Sequence, residues 1–218
     1  MTNAVAPTVD LRSAVVLSGG FPLLSGVDLQ LLPGSLTVIT GVNGAGKTSL
    51  LRLLAGLVAL SDGNGTVAGI DLKDGDLREL RRRVGWLGHE GSFYDDLTVR
   101  ENLTFAAKAL DRPLIEIERA LQRVGLSNRI DTVTKKLSAG QRRRLALSWL
   151  LIRRPEIWLL DEPYASLDDD ARTFFDALIA DVVRSGATVV LSAHDKLRSE
   201  ALQPRTIVLG GGRIVSES

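Results

Sequence analysis

Eight consecutive residues, Gly41-Val42-Asn43-Gly44-Ala45-Gly46-Lys47-Thr48, follow the spacing G-x-x-x-x-G-K-[ST]. They stand directly after an apolar, β-branched run, residues 36–40, and directly before a helical run that begins at Ser49 and is expected to reach residue 60. A polyphosphate needs backbone N–H groups turned inward around it, which calls for residues that tolerate unusual dihedrals and put no side chain in the way. Gly41, Gly44 and Gly46 meet that need. The helix offers its N-terminal dipole to the anion, Lys47 brings a full positive charge to the outer phosphates, and the Thr48 hydroxyl can ligate Mg²⁺. The chemistry implied is the binding of a nucleoside triphosphate.

Two further clusters carry chemistry. Ile157-Trp158-Leu159-Leu160-Asp161-Glu162 is an apolar run ending in two carboxylates. A buried strand that delivers acids to its C-terminal end is how α/β sheets place catalytic groups at a ligand crevice. Asp161 would hold Mg²⁺ through its water shell, and Glu162 would orient and deprotonate an attacking water. Taken alone, the pair reads equally well as a surface turn. Leu137-Ser138-Ala139-Gly140-Gln141 opens a helix whose Ser hydroxyl, Gly backbone and N-terminus either form a second anion site or merely cap the helix.

The elements that must position these residues follow from periodicity and turn residues. Strands are expected over 9–17 and 23–32, separated by a turn at 19–22, then over 66–72. A short basic helix, 77–83, leads into a core strand, 84–87. Its arginines at 81, 82 and 83 have no aromatic residues interleaved and read as a solvated face rather than a nucleic-acid patch. From about 89 to 136 the pattern changes to helices joined by polar loops: Thr98 caps one, Pro113 opens another, and Gly125 stops it. The second half returns to alternation, with helices over 139–153 and 169–184, strands over 157–160 and 188–192, a short helix after His194, and a hairpin over 206–215. Alternating strands and helices imply an α/β fold with a mostly parallel sheet.

Composition narrows the classes. Over 218 residues the net charge is only +1, which argues against holding nucleic acid by charge. The absence of cysteine rules out disulfides and Cys-ligated metals and suits a reducing cytosol. The start, MTNAVAPTVD, lacks a basic region followed by an apolar one. Charged residues and glycine break every apolar stretch short of the roughly 18 residues a membrane span needs. Membrane association would therefore come through a partner.

In order and spacing, the three clusters together resemble the ATP-binding subunits of ABC transporters over essentially the whole chain. LSAGQ, residues 137–141, matches that family's LSGGQ signature with Ala139 in place of a glycine. Asp161 to Pro163 matches its D-E-P step, Ala165 to Asp168 its D-loop, and Ser192-Ala193-His194-Asp195 the segment carrying its switch histidine. The resemblance implies a P-loop NTPase core with an N-terminal antiparallel β subdomain and an inserted helical subdomain, the core spanning 1–88 and 137–218 and the insertion 89–136. It implies ATP and Mg²⁺ as ligands, ATP hydrolysis coupled to transport, and an ATP-sandwich homodimer in which one copy's Ser138, Ala139, Gly140, Gln141 and Asp168 close over the nucleotide held by residues 41–49 of the other. His194 would sense the γ-phosphate. Two positions depart from the family. His89 stands where it has a glutamine that touches Mg²⁺ and the membrane partner, and an imidazole can bind a metal or donate a hydrogen bond there. The aromatic that stacks on adenine is missing; Ser18 falls at its place, and Phe21 is the nearest replacement.

The segment W-L-G-H at 86–89, LSAGQRRR, and WLLDEPYASLD are most similar to ATP-binding subunits of haem exporters in cytochrome c maturation. That resemblance implies integral membrane permease subunits as partners, a peripheral place on the cytoplasmic face of the cell membrane, and no nucleic acid. No direct haem binding is expected: His89 is the only histidine between 89 and 136, there is no Cys, and the sole methionine is Met1. Two alternatives remain, an exporter ATPase for a lipid, peptide or drug, and a soluble assembly ATPase serving iron–sulfur scaffolds.

Overall fold

The computed structural model describes residues 5–88, 93–165, 167–193 and 203–218. Contacts divide the chain into one unit of residues 1–86 and 155–218 and a second of residues 87–154.

The first unit is built on a central sheet. Strand β3 (Leu36–Thr40) is flanked in parallel by β8 (Thr188–Ser192) and β9 (Arg205–Gly210). Strand β7 (Ile157–Leu160) continues the parallel set beside β8, with β6 (Val84–Leu87) beyond it and β10 (Arg213–Glu217) antiparallel on β9. Every residue of β3, β7 and β8 is buried, as expected for apolar strands covered on both faces. A second, antiparallel sheet joins β1 (Val9–Ser18), β2 (Phe21–Leu31), β4 (Asp62–Val67) and β5 (Ile70–Asp71) in the order β2-β1-β4-β5. Between the sheets lies α1 (Lys47–Leu54), packed on β1 and β2 to one side and on β7 and β8 to the other. Leu50, Leu51, Leu53 and Leu54 are wholly buried, so α1 is clamped nearly all round.

Local chemistry explains where these elements end. α1 was expected over 49–60 but stops at Leu54, because Gly56 takes a left-handed conformation and closes a Schellman motif: Gly56 N–H donates to Leu53 O at 3.0 Å and Leu57 N–H to Arg52 O at 2.9 Å. The strand expected over 66–72 is instead the β4–β5 hairpin, turned by Ala68 and Gly69, both at positive φ. Paired left-handed residues also turn β1 into β2 at Gly19-Gly20 and β9 into β10 at Gly211-Gly212, the type I′ geometry that matches strand twist. Phe21 and Pro22 therefore belong to β2 rather than to the turn.

The arginine run of α2 (Leu77–Arg83) is not simply a solvated face. Arg81 donates to Gly56 O at 3.0 Å, and Arg83 grips both Glu156 oxygens at 2.7 Å while donating to Ala68 O at 2.6 Å. Arg82 faces solvent beside Glu79. α6 (Asp169–Arg184) packs on β8 through Phe175, Leu178, Ile179 and Val182.

The second unit gathers α3 (Val99–Ala109), α4 (Ile115–Arg123) and α5 (Ala139–Arg153), which pack on one another. α5 lies here, with α3 and α4. Thr98 caps α3 with a reciprocal box to Glu101. Buried Asn102 takes Tyr94 N–H on its carbonyl and donates its amide to Tyr94 O, Thr98 O and Thr134 Oγ1, which pins residues 94–98 to the helix.

Candidate functional site

The glycine loop leaves the C-terminal end of β3 and enters α1 through a backbone shaped by its neighbours. Gly41 has φ 143°, and a Cβ there would stand 2.3 Å from Leu209 O; Gly46 has φ 104°, and a Cβ there would stand 2.9 Å from Leu23 O. Only glycine lets β9 and β2 approach the loop this closely. Gly212, in the β9–β10 turn, donates to Ala45 O at 3.0 Å and accepts from Ser25 N–H at 2.8 Å, so the C-terminal hairpin braces the loop against β2. Val42, Asn43 and Gly44 form the exposed lip, while Ala45 is buried.

Gly46 is the N-cap of α1, and no side chain caps that helix. Its first-turn N–H groups and dipole are thus aimed out of the loop, an arrangement suited to phosphate oxygens. Lys47 is buried, and its Nζ donates to Gly41 O at 2.8 Å and Val42 O at 3.3 Å, which holds the ammonium inside the curve of the loop. Ser49 follows Thr48 in the first turn of α1, half-buried.

The carboxylates join the loop through one contact. Thr48 Oγ1 donates to Asp161 Oδ2 at 2.9 Å. Asp161 is 4% exposed, at the end of β7, and its other oxygen, Oδ1, accepts from Ser192 Oγ at 2.7 Å. Ser192 Oγ in turn accepts from Glu162 N–H at 2.8 Å. Glu162 sits at φ 48°, a left-handed conformation that costs a residue with a Cβ on the order of 1 kcal/mol. The structure therefore brings residues 41–49, Asp161 and Glu162 to one end of the central sheet, and the reading of Asp161-Glu162 as a mere surface turn is set aside. Ser192 is the residue that sequence reasoning passed over, naming it only as part of the segment around His194. The available signal was its place as the last residue of β8, the strand paired with β7 in the register Leu160 opposite Leu191.

Two hard oxygen donors, Thr48 Oγ1 and Asp161 Oδ2, face each other across the loop. A hydroxyl and a carboxylate suit a small divalent cation that completes its octahedron with phosphate oxygens and water. Among the described residues no cluster of three His, Cys, Asp or Glu side chains could hold a metal unaided.

Downstream, Asp168 is the N-cap of α6, its Oδ1 accepting from Ala171 N–H at 2.8 Å. Half-buried Tyr164 donates its hydroxyl to Asp176 Oδ1 at 2.6 Å and lies edge-on to Phe175; its partial burial and the neighbouring carboxylate both push its pKa up. These contacts tie the segment after Glu162 to α6. Phe21 is 77% exposed, two residues from the Leu23 carbonyl that abuts Gly46. His89 and His194 lie outside the described residues.

In the second unit, Ser138 caps α5 in a reciprocal box: its Oγ accepts from Gln141 N–H at 3.2 Å, and Gln141 Oε1 accepts from Ser138 N–H at 3.0 Å. Ala139 and Gly140 are exposed, and a Cβ on Gly140 would meet nothing within 4 Å. Nothing among the described residues requires glycine there.

A family model described as ABC transporter matches residues 24–165. The cytochrome c biogenesis ATP-binding export protein CcmA of Pseudomonas fluorescens is 41% identical over 213 residues, covering 96% of this chain and 98% of that protein. CcmA 2 of Cupriavidus metallidurans, with the same descriptive name, is 39% identical over 202 residues, covering 92% and 94%. In fold the chain is similar to a dimeric ATP-binding cassette solved in a post-hydrolysis state bound to ADP and phosphate, with a TM-score of 0.88 at 24% identity over 96% of this chain and 97% of that one. With its glycine loop braced between β9 and β2, its acid pair at the end of β7 and this match in sequence and fold, the chain belongs to the ABC transporter family.

Proposed function

We propose that this chain is the ATP-hydrolysing subunit of a membrane exporter that serves cytochrome c biogenesis. The hydrolytic part rests on one observation, the contact of Thr48 with Asp161 at the mouth of the glycine loop, with Glu162 next in the chain. Residues 41–49 bind the triphosphate of ATP, Lys47 neutralises its outer oxygens, and Glu162 orients the attacking water and takes its proton. Thr48 and, through water, Asp161 would hold Mg²⁺, which would supply positive charge against the phosphate oxygens. By the resemblance to the family, His194 is assigned the sensing of the γ-phosphate, and His89 the role of the family's glutamine toward the metal and the membrane partner. Phe21 supplies an apolar contact for adenine.

Two copies close as an ATP-sandwich homodimer. Ser138, Ala139, Gly140 and Gln141 of one approach the nucleotide of the other, a role in keeping with the open space around Gly140, and Asp168 lies at the dimer seam. Hydrolysis removes the γ-phosphate from between two positive helix ends, and the clamp loosens.

The export part rests on the relatives, whose names describe export in cytochrome c biogenesis and whose likeness spans nearly the whole chain. No helix among the described residues is long and apolar enough to cross a membrane. The membrane path therefore belongs to integral permease subunits, and this chain docks on them from the cytoplasmic face. Haem, as cargo, is handled by those partners. The test is an affinity pull-down of the tagged protein from detergent-solubilised membranes of its host, with co-purifying chains identified by mass spectrometry. Small multi-span proteins of cytochrome c maturation are expected; a permease of another class, or soluble scaffold proteins alone, would overturn the export assignment and leave the ATPase.

A further inference from the structure

We infer that Ser192 is a positioning residue for hydrolysis: its one hydroxyl locks the Asp161 carboxylate and the Glu162 backbone into a single arrangement. The inference rests on the proposed roles of those two acids. Ser192 is wholly buried at the end of β8, and its Oγ carries one proton and two lone pairs. The proton goes to Asp161 Oδ1 at 2.7 Å, and a lone pair receives Glu162 N–H at 2.8 Å. A hydroxyl that donates to a carboxylate becomes a better acceptor, so the two bonds strengthen each other.

The consequences for the two acids differ. Asp161 has both oxygens assigned, Oδ1 to Ser192 and Oδ2 to Thr48, so its carboxyl plane cannot turn and Oδ2 stays toward the glycine loop. Glu162 is held where its backbone is strained, at φ 48°. The peptide N–H that enters this left-handed residue is the one Ser192 binds. Releasing it lets the peptide relax and swings the Glu162 side chain away from the line of attack. Ser192 makes no hydrogen bond to residues 41–47, so its removal is expected to leave nucleotide binding alone while disturbing chemistry and the metal-facing oxygen.

The test compares Ser192→Ala, Ser192→Thr and Ser192→Val with the wild type and with Glu162→Gln, in the full-length protein. Ser192→Ala is expected to lower kcat on the order of 10- to 100-fold, the loss typical of a misplaced catalytic group, with the KM for ATP changed less than about twofold. ADP binding without metal should match the wild type. The Mg²⁺ concentration giving half of the ADP-induced rise in Tm should increase on the order of 10-fold, the loss typical when a group that orients a metal ligand is removed. Ser192→Thr and Ser192→Val add the same methyl to a buried site, so a packing defect lowers both alike; Thr, which keeps the hydroxyl, should recover kcat and Mg²⁺ dependence relative to Val. Wild-type kcat and Mg²⁺ dependence in Ser192→Ala, or equal behaviour of Thr and Val, would overturn the inference. The parallel variant separates the two claims: retained hydrolysis by Glu162→Gln removes the role of Glu162 itself, whereas its loss beside an unaffected Ser192→Ala removes only the role of Ser192.

Discussion

Replacing Gly140 by alanine should make the protein more stable and less active at once. Gly140 is the second residue of α5, its φ is not left-handed, and an added Cβ meets nothing within 4 Å. Alanine exceeds glycine in helix propensity by about 1 kcal/mol in a helix interior, an upper bound so close to the N-terminus. For a chain of this size that corresponds to a rise in Tm of about 2–4 °C at most. In the proposed closed dimer the same methyl would stand between the helix N-terminus and the phosphates of the facing copy. Displacing an anion by roughly the width of a methyl weakens donors aimed at the transition state, a loss on the order of 10²-fold in kcat. Calorimetry gives the first quantity and steady-state phosphate release the second, with ATP affinity of the separate chain as the control, since residues 41–49 are untouched. A Tm below that of the wild type would refute the local geometry. Wild-type turnover would refute the claim that Gly140 is kept open for a ligand on another copy.

Two further perturbations probe the scaffold. Asn102→Leu removes the amide that pairs with Tyr94, Thr98 and Thr134, takes the donor from the buried Thr134 hydroxyl, and should cost about 2 kcal/mol by denaturant unfolding; a loss under about 1 kcal/mol would mean that water replaces the amide at little penalty. Acidification should loosen α2 and α3 first. Asp76 is held below the usual carboxylate range by the N–H groups of Arg78 and Glu79, and Glu101 by the N–H and hydroxyl of Thr98. A depressed folded value means that the stabilisation is complete above about pH 4.5 and is lost as the pH falls through the lower folded value. Helical circular dichroism against pH should decline in that window for the wild type, with a smaller change in Asp76→Asn, which keeps a capping oxygen that does not titrate.

Much of the site was legible in the sequence because its parts are local. The glycine spacing, the apolar run of β7 ending in acids, and the Ser-x-x-Gln box of α5 each occupy a few consecutive residues, so their chemistry survives without knowledge of the fold. What escaped was non-local or depended on backbone sign. The bond from Ser192 to Asp161 requires the pairing of β7 with β8, which no spacing announces. The ends of α1 and the β4–β5 hairpin turn on left-handed residues, Gly56 and the pair Ala68-Gly69, where apolar periodicity runs on unbroken. Arg81 and Arg83 looked like surface charge because their acceptors, the carbonyls of Gly56 and Ala68 and the Glu156 carboxylate, lie on other elements.

The most direct test of the account is phosphate release and light scattering on one preparation of Glu162→Gln with ATP and Mg²⁺. The account predicts ATP affinity like the wild type, turnover reduced by about 10²-fold or more as expected on removing a general base, and a dimer that persists with ATP and is absent with ADP. Hydrolysis at the wild-type rate, or a monomer under saturating ATP, would contradict it.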